Sequence, residues 1–331
     1  MSINWFEDLT GFREISSHQV RDNFLLEGDR LISRINGRSF SCGRLETPSL
    51  GELRDWVEAG EFKKGKLTVR EVVGDVQSLH TELSNAGALF QVASQFNLLE
   101  MVSPNITPEA GVGIYENDRT QGPACAIAAG AGTIYRNYFA LCNGQIGQSV
   151  GNQIDCLVDV GKSLDNVQNG LWKMRNGYAL ATKAGLLEIQ TRLRSMNESD
   201  LDHLRQLLRI GVQWNTQVTI AQSAHLVTQT YCSALPVGYS SHDSNLWEPF
   251  ARLILEASYE ATICTAIVNA QVTGNHRVFL TLLGGGVFGN SIDWIFDAMQ
   301  RSFQRYEHYD LDVAIVSYGQ SNNRLQQLLI N

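Results

Sequence analysis

The sequence has no apolar run reaching the roughly 18 residues that a membrane-spanning helix requires. Val278–Val287 is broken by three glycines, and Leu253–Gln271 carries Glu256 and Glu260. Residues Met1 to Asp8 show neither a basic segment nor an apolar stretch of the leader type, so a cytoplasmic location with no membrane partner is expected. The six cysteines contain no C-x-x-C pair, and the seven histidines form neither H-x-x-x-H nor H-E-x-x-H. Those absences remove the common zinc spacings, leaving packed, reduced thiols and no protein-held metal as the expectation. Positive charge is also scarce. Lys+Arg number 26 against 34 Asp+Glu, a net charge of −8, and a field of that sign disfavours a nucleic-acid backbone. The one small cluster, Lys63, Lys64 and Lys66, reads as a solvated turn.

What remains is a globular chain of 331 residues, 44% hydrophobic and 18% charged. That length buries a large core without disulfide or metal staples. A domain prior of roughly 150 residues suggests two units; the order of elements suggests one. Leu67 to Val73 alternates as a half-buried strand and stops at Gly74-Asp75-Val76. Ala88 to Ala93 is apolar enough for a central strand. The loop from Leu98 to Pro123 is long, which favours function, and Ala124 to Phe139 reads as a helix of small residues with Pro123 in its first turn. Further on, the pattern predicts a strand at His225–Val237, a helix from about Leu246 to Asn269, a strand at Val278–Leu283, a helix at Ile292–Arg305, a strand at Leu311–Ser317 and a last short helix at Asn322–Leu329. Alternating strands and helices predict a three-layer α/β/α sandwich with a mixed sheet. Residues 1–66 read as an N-terminal extension packed on the core. Residues 67–331 read as the main domain, with an insertion at about 141–223 that includes a hairpin around Asn176-Gly177.

The sharpest motif is Gly284-Gly285-Gly286-Val287-Phe288-Gly289-Asn290, a glycine-rich turn between a buried strand and a helix. Such a turn lets backbone N–H groups and a helix N-terminus face a pyrophosphate, with Phe288 free to cover a ribose or base; a tight structural turn is the bland alternative. Other spellings fail on context. Gly161-Lys162-Ser163 lacks the first P-loop glycine, and Gly147-Gln148-Ser149-Val150-Gly151 has no strand before its serine. In the long loop, Glu116 and Asp118 sit two positions apart and approach a helix N-terminus. Paired carboxylates of this kind activate water or stabilise a glycosidic centre, while Asn117, Thr120 and Gln121 add hydrogen bonders suited to sugar hydroxyls.

Taken in order, these motifs resemble those of a macrodomain, the ADP-ribose-binding α/β/α fold. Gly74-Asp75-Val76 resembles the family's Gly-Asp-Ile/Val. Gln91-Val92-Ala93-Ser94-Gln95-Phe96-Asn97 stands where the family carries its Asn-Ala-Ala-Asn segment, and Leu283–Gly289 resembles its phosphate loop. Because the phosphate loop lacks the family's Ser-Thr, Gln91 replaces its first Asn and Tyr115–Pro123 replaces the usual Gly-Gly-Gly loop, the chain is similar to the divergent MavL-type branch of arginine-specific ADP-ribosyl hydrolases. The resemblance implies ADP-ribose, or an ADP-ribosylated protein, as ligand and partner, with no further cofactor. Adenine would rest at Asp75 and Val76. The diphosphate would lie on Gly284, Gly285, Gly286, Val287, Phe288, Gly289 and Asn290. The distal ribose would meet Asn97 and the Glu116–Gln121 loop with its Asn117, Thr120 and Gln121, and Gln91 and Gly122 would also belong to the ADP-ribose site. Asp118 would then be catalytic with Glu116 as helper, in removal of ADP-ribose from protein side chains, arginine foremost. A module that binds ADP-ribose without cleaving it is the alternative.

Overall fold

A computed structural model describes residues 4–329, so Met1 to Ile3 of the segment read for a leader lie outside the described residues. The core is a seven-stranded sheet. Its strands are β1 (Arg44–Glu46), β2 (Leu67–Val73), β3 (Leu89–Ala93), β4 (Gly211–Gln217), β5 (Leu226–Cys232), β6 (Arg277–Leu280) and β7 (Leu311–Ser317). They lie in the order β1-β4-β5-β3-β6-β7-β2. The five strands from β5 to β2 run parallel, while β4 is antiparallel to both of its neighbours. Strand β3, flanked by strands on both sides and covered on both faces, is apolar except for Gln91, as central parallel strands are.

Helices cover both faces. On one lies α5 (Ser244–Thr273), packed by α1 (Leu50–Ala59) and α6 (Ile292–Arg305); on the other lie α2 (Val76–Thr81), α3 (Gln121–Ala128) and α4 (Gly130–Tyr138). The three-layer α/β/α sandwich with a mixed sheet expected above is therefore the architecture of the chain. Local chemistry accounts for the ends of its helices. Ser49 and Glu52 form a capping box on α1, and Asp75 caps α2 by accepting from the Gln77 amide. The apolar α5 is buried along most of its length. Its Glu260, with no exposed surface, is bound by Arg54 at 2.7 Å and Arg301 at 2.6 Å, so one carboxylate ties α5 to α1 and α6. No helix of the described residues is long and apolar enough to cross a membrane.

Three expectations change. The segment to residue 66 does more than pack on the core, because its β1 forms an edge of the sheet. The stretch 141–223 is not wholly an insertion, because it ends in β4, a sheet strand whose alternation is interrupted by a bulge between Gln213 and Thr216. The helix expected at Ala124–Phe139 is two helices, broken at Ala129, whose φ of −115° and ψ of 58° leave the helical region. The insertion that remains holds the predicted hairpin, Trp172–Arg175 against Tyr178–Ala181, turned at Asn176 and Gly177 with positive φ. All six cysteines are buried and unpaired.

A second core cluster joins the extension to the long loop. Phe6, Leu9, Phe12, Val20 and Phe24 pack with Leu99, Met101, Val112 and Tyr115, and with Ile134 and Tyr138 of α4. The rings of Phe6, Phe12 and Phe24 meet edge to face in sequence, the favoured geometry for aromatic pairs.

Candidate functional site

The chain leaves β5 on one side of β3 and, after α5, enters β6 on the other. A crevice opens at the carboxyl ends of parallel strands where the path divides in this way. Here it is a cavity of about 290 Å³, walled by Ala93 to Gln95 after β3, Ala234 after β5 and Thr281 to Gly284 after β6.

One wall is the glycine loop. Gly284 and Gly289 adopt φ of 74° and 71°, a region that L side chains enter only with strain. Within the loop the Gly285 amide donates to the Leu282 carbonyl, that of Gly289 to Gly286, and that of Asn290 to Gly284. Asn290 is buried, and its side-chain amide donates to the Leu235 carbonyl at 2.8 Å. The amides of Gly284, Gly286, Val287 and Phe288 have no acceptor among the described residues. Because α6 starts at Ile292, its positive end lies just beyond these amides. Backbone and dipole together suit an anion, with no lysine or arginine required.

The facing wall is the acidic loop. Asp118 is half-buried, lines the cavity and accepts from the Thr120 amide at 2.9 Å. The loop is held by distant residues. The Glu14 carboxylate accepts from the amides of Val112 at 2.9 Å and Gly113 at 2.6 Å, and from the Tyr138 hydroxyl. The Trp5 indole donates to the Val112 carbonyl. Burial pushes the Glu14 carboxyl above its usual range, while these hydrogen bonds pull it back.

Gln121 fixes the start of α3 to β3. Its side-chain oxygen accepts from the Ala93 amide at 2.9 Å, and its nitrogen donates to the Gln91 carbonyl at 2.7 Å. At Gly122 a Cβ would overlap the Ala93 carbonyl oxygen and the Glu100 carboxylate. Only glycine lets the helix end approach this closely.

Glu100 forms the floor. It is 3% exposed, and its Oε1 has no partner among the described residues. Burial holds its carboxyl well above the usual range, Asp118 adds to that shift and Arg136 opposes it. Three rings, Tyr178 from the hairpin, Tyr239 after β5 and Phe288 from the glycine loop, meet at centroid distances of 5.1 to 5.5 Å and close the cavity on a further side.

The structure thus brings together Asp118, Thr120, Gln121, Gly122, Gly284, Gly286, Val287 and Phe288. Other expected residues have different places. Glu116 is exposed, stands off the cavity, and accepts from the Trp5 amide at 3.2 Å; its place as helper to Asp118 is corrected. Asn117 is exposed and also off the cavity. Gln91 points into the packed interior, donating to the Thr262 hydroxyl at 3.0 Å, and Asn97 is fully buried with its amide on Gln153. Neither lines the cavity. Gly285, Gly289 and Asn290 shape the glycine loop from behind the lining. Asp75 is exposed at the end of β2, and Val76 is buried under it. Glu100 is the residue that sequence reasoning missed: a lone acid after Leu98 and Leu99 carries no motif, and only the fold buries it.

No family model matches the chain, and no curated protein matches it. Solved structures do. Poly(ADP-ribose) glycohydrolase from Thermomonospora curvata, bound to the inhibitor ADP-HPD, is similar with a TM-score of 0.44 at 12% identity, over 92% of each chain. The poly(ADP-ribose) glycohydrolase from Deinococcus radiodurans in complex with ADP-ribose is similar with a TM-score of 0.44 at 12% identity, over 87% of this chain and 95% of that one. These neighbours are glycohydrolases of poly(ADP-ribose), a family distinct from the MavL-type macrodomains. The placement in the MavL-type branch is corrected by that finding.

Proposed function

We propose that the protein is a hydrolase that binds ADP-ribose in the cavity and cleaves the glycosidic bond at its distal ribose. One observation carries the reading: the four unpaired amides of the glycine loop and the Asp118 carboxylate line the same cavity. The amides and the α6 terminus suit a diphosphate. Breaking a bond at the anomeric carbon develops positive charge there, which a fixed carboxylate stabilises while it orients water. Asp118 takes that role. A groove at the ends of β6 and β7, lined by Ser317 and Tyr318, shares Thr281 and Leu282 with the cavity. It extends the site from the glycine loop along the strand ends towards β2 and Asp75, which gives a nucleoside room.

Calorimetry with ADP-ribose, combined with release assays on poly(ADP-ribose) and on ADP-ribosylated protein, tests the reading. The expected result is binding and release by the wild type, and binding without release by Asp118→Asn. Binding with no release by the wild type would make the protein an ADP-ribose-binding module instead. Absence of both would overturn the ligand as well.

A further inference from the structure

From the geometry of the floor we infer that Glu100 is the general acid of this site, donating its proton to the leaving atom as the glycosidic bond breaks. The assignment rests on the hydrolase reading above and names the second carboxyl that such a reaction requires.

Glu100 lines the cavity through a side chain that nothing else claims. Its backbone amide donates to the Tyr115 hydroxyl at 3.0 Å, and Gly122 lies against its carboxylate, so the side chain has little freedom to turn away. Arg136, the nearby cation, is only partly engaged elsewhere, and its buried Nη1 has no partner among the described residues. Its Nε donates to the Leu98 carbonyl at 3.2 Å and its Nη2 to the Thr133 hydroxyl at 2.9 Å, and its guanidinium stacks 3.6 Å from the centre of the Tyr231 ring. No ion pair joins it to Glu100 among the described residues. The remaining titratable groups facing Glu100 are Asp118 from the acidic loop, Cys125 of α3, Tyr115, Tyr178 of the hairpin and Tyr231 of β5. Arg136 alone, and none of these, favours the ionised form of Glu100; its other surroundings are apolar, neutral or negative. Two carboxyls in one cavity, one sequestered from water and one reached by it, divide into an acid and a base.

The step balances. Water attacks the anomeric carbon and Asp118 accepts its proton. The bond from that carbon to the leaving oxygen or nitrogen breaks, and the electron pair on the leaving atom takes the proton from Glu100. ADP-ribose with a free anomeric hydroxyl and the protonated leaving group result, and solvent returns the proton from Asp118 to Glu100.

Glu100→Gln keeps the shape and removes the proton. On poly(ADP-ribose), turnover should fall about 100- to 10,000-fold, the usual worth of general acid catalysis, and the decline of kcat on the alkaline side of the pH profile should disappear. On ADP-ribose joined to para-nitrophenol, whose leaving oxygen needs no proton, the variant should keep turnover close to that of the wild type. Calorimetric binding of ADP-ribose and an unchanged melting transition would show that the variant is folded. Equal losses on both substrates, or wild-type turnover on both, would overturn the acid role and leave the hydrolase reading standing. If the wild type releases nothing from either substrate, the hydrolase reading falls and the acid role with it.

Discussion

Two loops face each other across the cavity, and they are held in opposite ways. The glycine loop at 284–290 is folded by its own backbone, with bonds spanning three to six residues and one buried asparagine as a clamp. The acidic loop at 112–120 is held mainly by Glu14 and Trp5, about a hundred positions earlier in the chain. The first is therefore a local motif that a short stretch of sequence announces. The second is a tertiary object, and the placement of Asp118 in it depends on a segment that resembles a dispensable extension.

The largest effect expected from breaking this pair is on chemistry. Asp118→Asn should lower turnover about 1,000-fold, as loss of one fixed electrostatic partner does, while ADP-ribose affinity stays within about tenfold. Release assays beside calorimetry check both numbers, and a matching loss of affinity would mean that Asp118 serves binding.

Next comes the anchor of the acidic loop. Glu14→Ala leaves the Val112 and Gly113 amides without their acceptor, which costs about 1–3 kcal/mol for each buried group left unpaired. Denaturant unfolding should show the loss, and kcat should fall more than ADP-ribose affinity, since the glycine loop is untouched. An equal fall in affinity would show that the two loops are coupled rather than independent.

A sharper test separates fold from ligand within the glycine loop. At Gly286 a Cβ meets open space, whereas at Gly284 it meets Ala234 and Asn290 in a backbone with φ of 74°. Gly286→Val should weaken ADP-ribose binding about tenfold or more with no change in melting temperature. Gly284→Val should instead destabilise the protein by about 1–3 kcal/mol. Loss of stability in both would make the loop a structural turn only.

The smallest effect is a pH slope. Glu100 binds its proton more tightly in the folded protein than in the unfolded chain, because burial raises its carboxyl above the ordinary 4.5. That contribution is fully present below pH 4.5 and is lost as pH rises through the raised value. Urea midpoints taken from pH 4.5 to about 8 should therefore decline in the wild type relative to Glu100→Gln; parallel curves would mean that water reaches the carboxyl.

Much of the architecture was legible in the sequence because periodicity reports burial. The limits of β2, α6 and β7 follow directly from their alternation or helical spacing. Strands β1 and β4 escaped for physical reasons: three residues carry no period, and a bulge shifts the phase of seven. In the site, the glycine loop and Asp118 were readable from local chemistry. Gln91, inside β3, and Asn97, in the turn after it, show the boundary of that method, since residue type alone does not say what a side chain faces. Glu116, two residues from Asp118, was turned to the far side by a tight 3-10 turn at Gly113–Asn117. Glu100 became visible only when α3, the acidic loop and the hairpin closed around it.

Strand β1 has one more consequence. Leu45 and Glu46 pair with Gln213 and Val212, and Glu46 accepts from the Trp214 indole at 2.7 Å. A chain begun after residue 46 would bare the edge of β4, a row of unpaired donors and acceptors with valine and tryptophan beside it. Such an edge recruits strands from other molecules. The segment that steadies the acidic loop also covers the edge of the sheet.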